Sequence, residues 1–266
     1  VSKKTAFSKI FISISLAANV VACQSNLGQA DQDDKPPSRQ KNSQNSAAPL
    51  PKYPRLSQEN AAEFLRQYGR KHPENHLDIQ TDLGTITIEL YDDTPLHRAN
   101  MLYLTERAYF DGTWFYRVSR DHVIQAGNTD EASTQKKRQA IGDYTIPAEM
   151  GPHYHHRGAV AMVRSYSNNP QKRSDPYEFY IILGKTYNPA QLDAMAEQQD
   201  IVINAEQRDW YQKVGGAPHL DGEHTVFGRV VEGMAVVEAI NRVKTDEGEW
   251  PLTNIPIQVR ISAPKK

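Results

Sequence analysis

From Leu77 to Leu90 the chain alternates apolar and polar residues, and no other stretch constrains its fold as much. Leu77 and Ile79, then Ile86, Ile88 and Leu90, fall on one side; Thr85, Thr87 and Glu89 fall on the other. Neighbouring side chains of a strand point to opposite faces, so each run reads as a strand with one face buried. Asp82-Leu83-Gly84 between them is turn chemistry, and the two runs predict a β-hairpin. Short apolar runs recur at Trp114–Val118, Val123–Ala126, Gly158–Val163, Glu178–Leu183 and Thr225–Val231, and Ile257, Val259 and Ile261 alternate once more. Thr94 and Pro95 supply an N-cap and a first helical position, with Ala99, Leu102 and Tyr103 at helical spacing behind them. Met234–Ile240 reads as a second short helix. Many short strands, turn signals and two short helices predict a mainly β domain, a closed antiparallel barrel. The 16 prolines and 15 glycines work against a long helical bundle.

Asn188–Val214 breaks this rhythm. Asn188-Pro189 is a helix start, and Leu192, Met195 and Ala196 follow at helical spacing. The stretch from about 185 to 216 is expected to be a helical insertion outside the barrel.

The beginning of the chain has another character. Lys3, Lys4 and Lys9 precede the apolar run Ile10–Ala22. At about 13 residues this run falls short of the ~20 that a membrane-spanning helix needs. A basic start before a short apolar core is the pattern of a secretory signal. The only cysteine, Cys23, comes directly after Val20-Val21-Ala22. This resembles a bacterial lipobox, in which the cysteine becomes the lipidated first residue of the mature protein. A plain signal peptide and a cysteine buried in a core are the alternatives, although Gln24-Ser25-Asn26 shows no core pattern. Residues 1–22 are therefore expected to be a signal peptide and Cys23 a lipidation site. The protein would then sit in the cell envelope, anchored to a bacterial membrane on its periplasmic side or surface. Gln24–Lys52 is polar and nearly free of large apolar residues, too few to offset its ordering entropy. Residues 23–56 are expected to be a disordered tether, 57–75 a helix with Phe64, Leu65 and Tyr68 on its packed face, and 76–264 the folded domain.

One cysteine permits neither an intrachain disulfide nor a cysteine-based zinc site. With 31 basic and 32 acidic residues there is no basic surplus, so no nucleic-acid partner is expected. His153, His155 and His156 are close in sequence, but metal ligands must converge in space from separated segments. They are expected to sit in a solvated loop, with no metal.

Gly112-Thr113-Trp114-Phe115-Tyr116-Arg117-Val118 followed by Val123-Ile124-Gln125-Ala126-Gly127 resembles the signature of the cyclophilins. Gly158–Met162, Glu178–Ile181 and Leu220–Val230 resemble three further blocks of that family, in the same order. The resemblance covers roughly Asp78 to Ile261 and leaves out the N-terminal stretch. Tyr144–Glu149 and the insertion resemble bacterial members, those of Bacteroidetes in particular. It implies an eight-stranded antiparallel barrel capped by two helices, and catalysis of cis/trans rotation about X-Pro bonds without a cofactor. Its partners would be proline-containing unfolded or exported polypeptides, and a monomer is expected.

Carried over by position, the resemblance makes Arg117 the catalytic residue and Gln125 the group that orients it. The slot for the proline ring maps onto His122, Val123, Tyr180 and Leu220, with His224 at its rim and Val163 and His219 beside it. Phe179, next to Tyr180, should point the other way into the barrel. Tyr116 stands where the family has a histidine. Glu178 and Arg164 replace a glutamine and a small polar group along the substrate groove. Three arrangements of Glu178 are open: pairing with Arg164, restraining Arg117, or facing solvent. The alternative function is a catalytically weak module that only binds proline-containing segments.

Overall fold

The computed structural model describes residues 53–264. The expected signal peptide, Cys23 and the tether as far as residue 52 lie outside the described residues. The chain forms β1 (Leu56–Ser57), α1 (Ala61–Lys71), β2 (His76–Thr81), β3 (Gly84–Leu90) and α2 (Pro95–Glu106). Next come β4 (Trp114–Ser119), β5 (Val123–Asn128), α3 (Ala132–Ile141), β6 (Gly142–Asp143), β7 (Ala159–Met162) and β8 (Phe179–Ile182). The insertion holds α4 (Pro189–Gln199) and α5 (Ala205–Lys213), and β9 (Val226–Glu232), α6 (Met234–Asn241) and β10 (Gln258–Ser262) close the chain.

Eight strands form one curled antiparallel sheet in the order β10-β2-β3-β9-β7-β8-β5-β4. The closed barrel expected from the sequence is corrected to an open one. Its edge strands β4 and β10 share no ladder. β4 instead meets the irregular segment before β10, where the Phe115 N–H donates to the Ile255 carbonyl at 2.9 Å and the Ile257 N–H to that of Thr113 at 2.8 Å. Pro256 lies in that segment opposite Trp114, and the contact is an isolated bridge rather than a ladder.

Alternation along the strands sorts two layers. Leu77, Ile79, Ile86, Ile88, Phe115, Ile124, Val160, Met162, Phe179 and Ile181 share one core with α2 and α6. Full burial of such a side chain is worth about 1.5–3 kcal/mol. On the opposite face Val123, Ala159, Ala161, Tyr180, Ile182 and Val226 form a second cluster, and Phe179 and Tyr180 do point to opposite sides. Ile261, expected on the buried face of the last strand, is 38% exposed because β10 is an edge.

The helices depart from expectation at their ends. α1 starts at Ala61 rather than Ser57, because Leu56 and Ser57 pair in parallel with Gly142 and Asp143. Its inner face carries Leu65 and Tyr68, both buried, with Phe64 packed beside them. Thr94 sits at the N-cap of α2 but makes no side-chain cap bond. The Glu149 carboxylate, remote in sequence, accepts from the Leu96 and His97 N–H groups at 3.0 Å. No apolar periodicity predicts α3. Only Thr134 and Ile141 of that helix are buried, so it carries no apolar stripe.

The insertion begins and ends at a stem where Lys185 pairs with Gly216. Only glycine fits at the latter position, since φ is +150° and a Cβ would lie 2.2 Å from the His155 carbonyl oxygen. Asn188 with Gln191, and Asn204 with Gln207, form capping boxes that start α4 and α5. The two helices enclose a small core of Leu192, Ile203 and Tyr211.

Candidate functional site

Strand register aligns a row of side chains across the sheet. Arg117 is opposite Gln125, Gln125 opposite Tyr180, and Tyr180 opposite Ala161. A bulge in β4 sets the end of this row. Phe115 pairs with Ala126 and Arg117 with Gln125, so Tyr116 is the extra residue. A bulge re-aims side chains, and here both Tyr116 and Arg117 leave the core, while Phe115 and Val118 on either side stay in it. Simple alternation would have sent one of the two inward.

The row lies in a groove of about 270 Å³ lined by Arg117, His122, Val123, Gln125, Val163, Arg164, Tyr166, Tyr180, Leu220 and His224. Nine of the sequence-predicted residues are among these. His219 stands behind, its ring 5.3 Å from that of His122. Tyr116 and Glu178 lie outside the lining, hydrogen-bonded to one another and to Gln125. Tyr166, 67% exposed, was not foreseen; its hydroxyl meets His224 Nε2 at 2.7 Å. A larger hollow of about 530 Å³ lies between the β2–β3 turn and the segment after α6, where Asp82, Lys244, Thr253 and Asn254 join four apolar residues.

At the arginine wall, Arg117 Nη2 is 2.7 Å from Glu249 Oε2, and Nη1 donates weakly to Gln125 Oε1 at 3.4 Å. The Gln125 amide donates to the Tyr116 hydroxyl, which donates to the Glu178 carboxylate. Burial and then the Glu178 charge push the Tyr116 phenol far above its usual range, so it stays a donor.

None of the three arrangements expected for Glu178 holds. Its partner is Arg138, at 2.9 Å, on the unforeseen helix α3. Arg164 pairs with Glu223, donates through Nε to the Glu223 carbonyl at 2.5 Å, and lies 4.1 Å from the centre of the Tyr166 ring. Each of the two departures from the family pattern has its own counter-charge, and neither touches Arg117.

At the tyrosine wall the support is buried. The Tyr180 hydroxyl meets His155 Nε2 at 3.2 Å, and His155 Nδ1 is 3.0 Å from Asp221 Oδ1, which also accepts the His155 backbone N–H at 2.8 Å. Asp221 Oδ2 accepts from Tyr211 at 2.6 Å and from Gln207 at 2.8 Å, both on α5 of the insertion. Burial works to raise the Asp221 carboxyl, but the hydrogen bond and charge of His155 outweigh it and hold the group below the usual carboxylate range. The expectation of a solvated histidine loop is corrected here, since His155 is fully buried. The three histidines also face different partners: His153 meets Asp93 and His156 stacks on Trp210. Asp221 was visible only as part of the Leu220–Val230 block and His155 only as one of three close histidines, and nothing in the local sequence around Arg138 or Glu249 marked them.

His224 donates from Nδ1 to the Met162 carbonyl at 3.0 Å, which leaves Nε2 to accept from Tyr166. Burial lowers its pKa to about 4 and also lowers those of His122 and His219, so these three rings are uncharged near neutrality.

Residues 76–261 match the family model for cyclophilin type peptidyl-prolyl cis-trans isomerase/CLD. The chain is 29% identical over 180 residues to peptidyl-prolyl cis-trans isomerase-like 1 of Neurospora crassa, covering 67% of this chain and 88% of that one. It is likewise 29% identical over 200 residues to a putative bifunctional phosphatase/peptidyl-prolyl cis-trans isomerase of Streptococcus pyogenes, covering 72% of this chain and 40% of the other. The fold matches a Cryptosporidium parvum cyclophilin crystallised in the presence of the dipeptide Ala-Pro, with a TM-score of 0.50, 20% identity, and coverage of 71% of this chain and 99% of that one. With the family model spanning the whole curled sheet, this chain belongs to the cyclophilin-type peptidyl-prolyl cis-trans isomerase family.

Proposed function

We propose that the groove catalyses rotation about X-Pro bonds, with Arg117 as the catalytic residue and Gln125 binding the substrate backbone. The row that carries an arginine, a glutamine and a tyrosine floor across three strands is the observation behind this reading. The peptide C–N bond resists rotation with a barrier of ~18–20 kcal/mol because resonance gives it double-bond character. Val123, Tyr180 and Leu220 offer an apolar slot for the proline ring, with neutral His122 and His224 at its sides. A guanidinium beside the slot can meet the prolyl carbonyl and the twisting nitrogen, favouring the amide that has lost its conjugation. Such stabilisation belongs to the transition state and needs no proton transfer. A neighbour of the same fold was crystallised in the presence of Ala-Pro, which agrees with a proline-containing substrate. A protease-coupled proline-peptide assay tests the reading. Arg117→Ala should lose about 10²-fold or more in kcat/KM with the fold intact; undiminished activity would sink the mechanism.

We further infer that the substrates are exported or envelope polypeptides and that the protein is a bacterial lipoprotein. The basic and apolar start followed by Cys23 supports this reading. Among the described residues no helix is long and apolar enough to cross a membrane. A single acyl chain binds membranes only marginally, and stable anchoring needs more than one. Cys23→Ser should release the protein from membranes or leave uncleaved precursor. Unmodified Cys23 in the mature protein, seen by mass spectrometry, would refute the anchor.

A further inference from the structure

We propose that Glu249 is a positioning residue for Arg117, holding its guanidinium at the angle that serves the twisting peptide bond. The inference rests on the isomerase reading above and adds to it a residue from outside the strands that build the groove. Glu249 lies on the loop between α6 and β10. Its Oε2 takes Arg117 Nη2 at 2.7 Å, while Oε1 accepts from the Ser119 hydroxyl at 2.6 Å. The carboxylate is therefore gripped on its far side by β4, two residues beyond the arginine it faces.

The loop is built to keep it there. Asp246 Oδ1 accepts the N–H groups of Gly248 and Trp250, each at 2.9 Å, and Thr245 pairs with Pro251 at the base. The Val118 N–H donates to the Glu249 carbonyl at 2.8 Å, tying the loop to the strand between Arg117 and Ser119. Trp250 packs edge-on to Trp114 and lies against Tyr116. At the tip, Glu249 has φ of +65°, a left-handed conformation that glycine adopts without steric penalty and other residues seldom do. The chain accepts that penalty at the residue whose side chain reaches the arginine.

Glu249 and Gln125 occupy two of the five N–H donors of the Arg117 fork. The rest remain for a carbonyl in the groove. Arg117 is 39% exposed, and a long cation at such exposure would otherwise sample many rotamers. Fixing it before substrate arrives removes that ordering from the reaction step. An interaction that acts only in the transition state moves kcat and leaves KM alone.

The test compares wild type, Glu249→Ala and Glu249→Gln by steady-state isomerisation of a neutral proline peptide and by NMR of the Arg117 guanidinium without peptide. Glu249→Ala should lower kcat about 10-fold with KM unchanged. Glu249→Gln keeps an acceptor oxygen for Arg117 and should recover most of the loss. The Arg117 Nη signals should show hindered rotation in wild type and in Glu249→Gln, and free averaging in Glu249→Ala. An inactive wild type would overturn the isomerase reading and this role with it. An active wild type that Glu249→Ala leaves unchanged or faster overturns this inference alone, and so does an Arg117 signal equally mobile in all three proteins.

Discussion

The two walls of the groove are held by different physics. The arginine wall presents Arg117 and Glu249, each more than a third exposed, on a strand bulge and a loop. Exposed ion pairs of this kind contribute about 0–1 kcal/mol to stability. The tyrosine wall hangs Tyr180 from His155 and Asp221, which in turn are gripped by the insertion. There the polar groups are buried, and removing one partner leaves another unsatisfied at a cost of about 1–3 kcal/mol or more. The comparison separates two demands. The group that must meet a changing charge stays near water and is held by an exposed ion pair, whereas the surface that grips an apolar ring is fixed from beneath.

The largest effect to expect from breaking this contrast is at Asp221. Its two oxygens accept from four donors, and an amide can offer only one acceptor oxygen to them. Asp221→Asn should destabilise the domain by about 3 kcal/mol, lowering Tm by on the order of 10 °C. With Tyr180 loosened, the variant should also raise KM more than it lowers kcat. Arg117→Ala should leave Tm nearly where it was. Calorimetry on both variants checks this, and a similar fall in Tm for each would erase the distinction between the walls.

A smaller effect is expected from pH, again at the apolar side. His224 is lowered by burial to about 4 in the folded protein against about 6.5 when unfolded. Between those values the unfolded chain binds the proton and the folded one does not. Stability from this group is therefore complete above about pH 6.5 and declines as pH falls toward 4, the loss being on the order of 2 kcal/mol at about pH 5. His122 and His219 shift in the same direction. NMR titration of the ring protons reads it directly; a His224 that titrates near 6.5 would contradict the buried, neutral wall.

The two walls were also unequally legible in the sequence. Leu77–Leu90 announced its hairpin because period-two alternation survives wherever one face is buried, and Phe179 beside Tyr180 followed the same rule. Arg117, Gln125 and Tyr180 could be named because they sit inside runs that resemble the family's. Glu249 and Arg138 could not, since each reaches the site from an element with little apolar patterning: a loop in one case, the solvated helix α3 in the other. His155 was misread for a related reason. Its burial comes from contacts with Tyr180 and with the insertion-bound Asp221, and three adjacent histidines look polar when those partners are far away in sequence. The barrel stays open because β4 meets the segment before β10 in an isolated bridge rather than a ladder, a long-range pairing that period-two alternation does not report.

The smallest expected effect concerns Glu178, where a charge sits behind the arginine wall without reaching it. Glu178 binds Arg138 and the Tyr116 hydroxyl, so Glu178→Gln should neither favour peptides with an acidic residue near the proline nor release Arg117. Activity on neutral and acidic peptides should stay within about 2-fold of wild type, and loss of the half-buried pair should cost on the order of 1 kcal/mol. A second readout sharpens the assignment. Burial, and then the Glu178 charge, raise the carboxyl of Asp175 to about 6. A carboxyl raised in this way is protonated in the folded state while ionised in the unfolded one, so its contribution to stability is present below about pH 4 and is lost as pH rises toward 6. With the neighbouring charge removed, Asp175 should titrate lower and that loss should shrink, offsetting part of the missing ion pair at neutral pH. Carbon-detected titration of Asp175 in wild type and Glu178→Gln measures the change. An unmoved Asp175 together with a new preference for acidic peptides would place Glu178 in the groove itself.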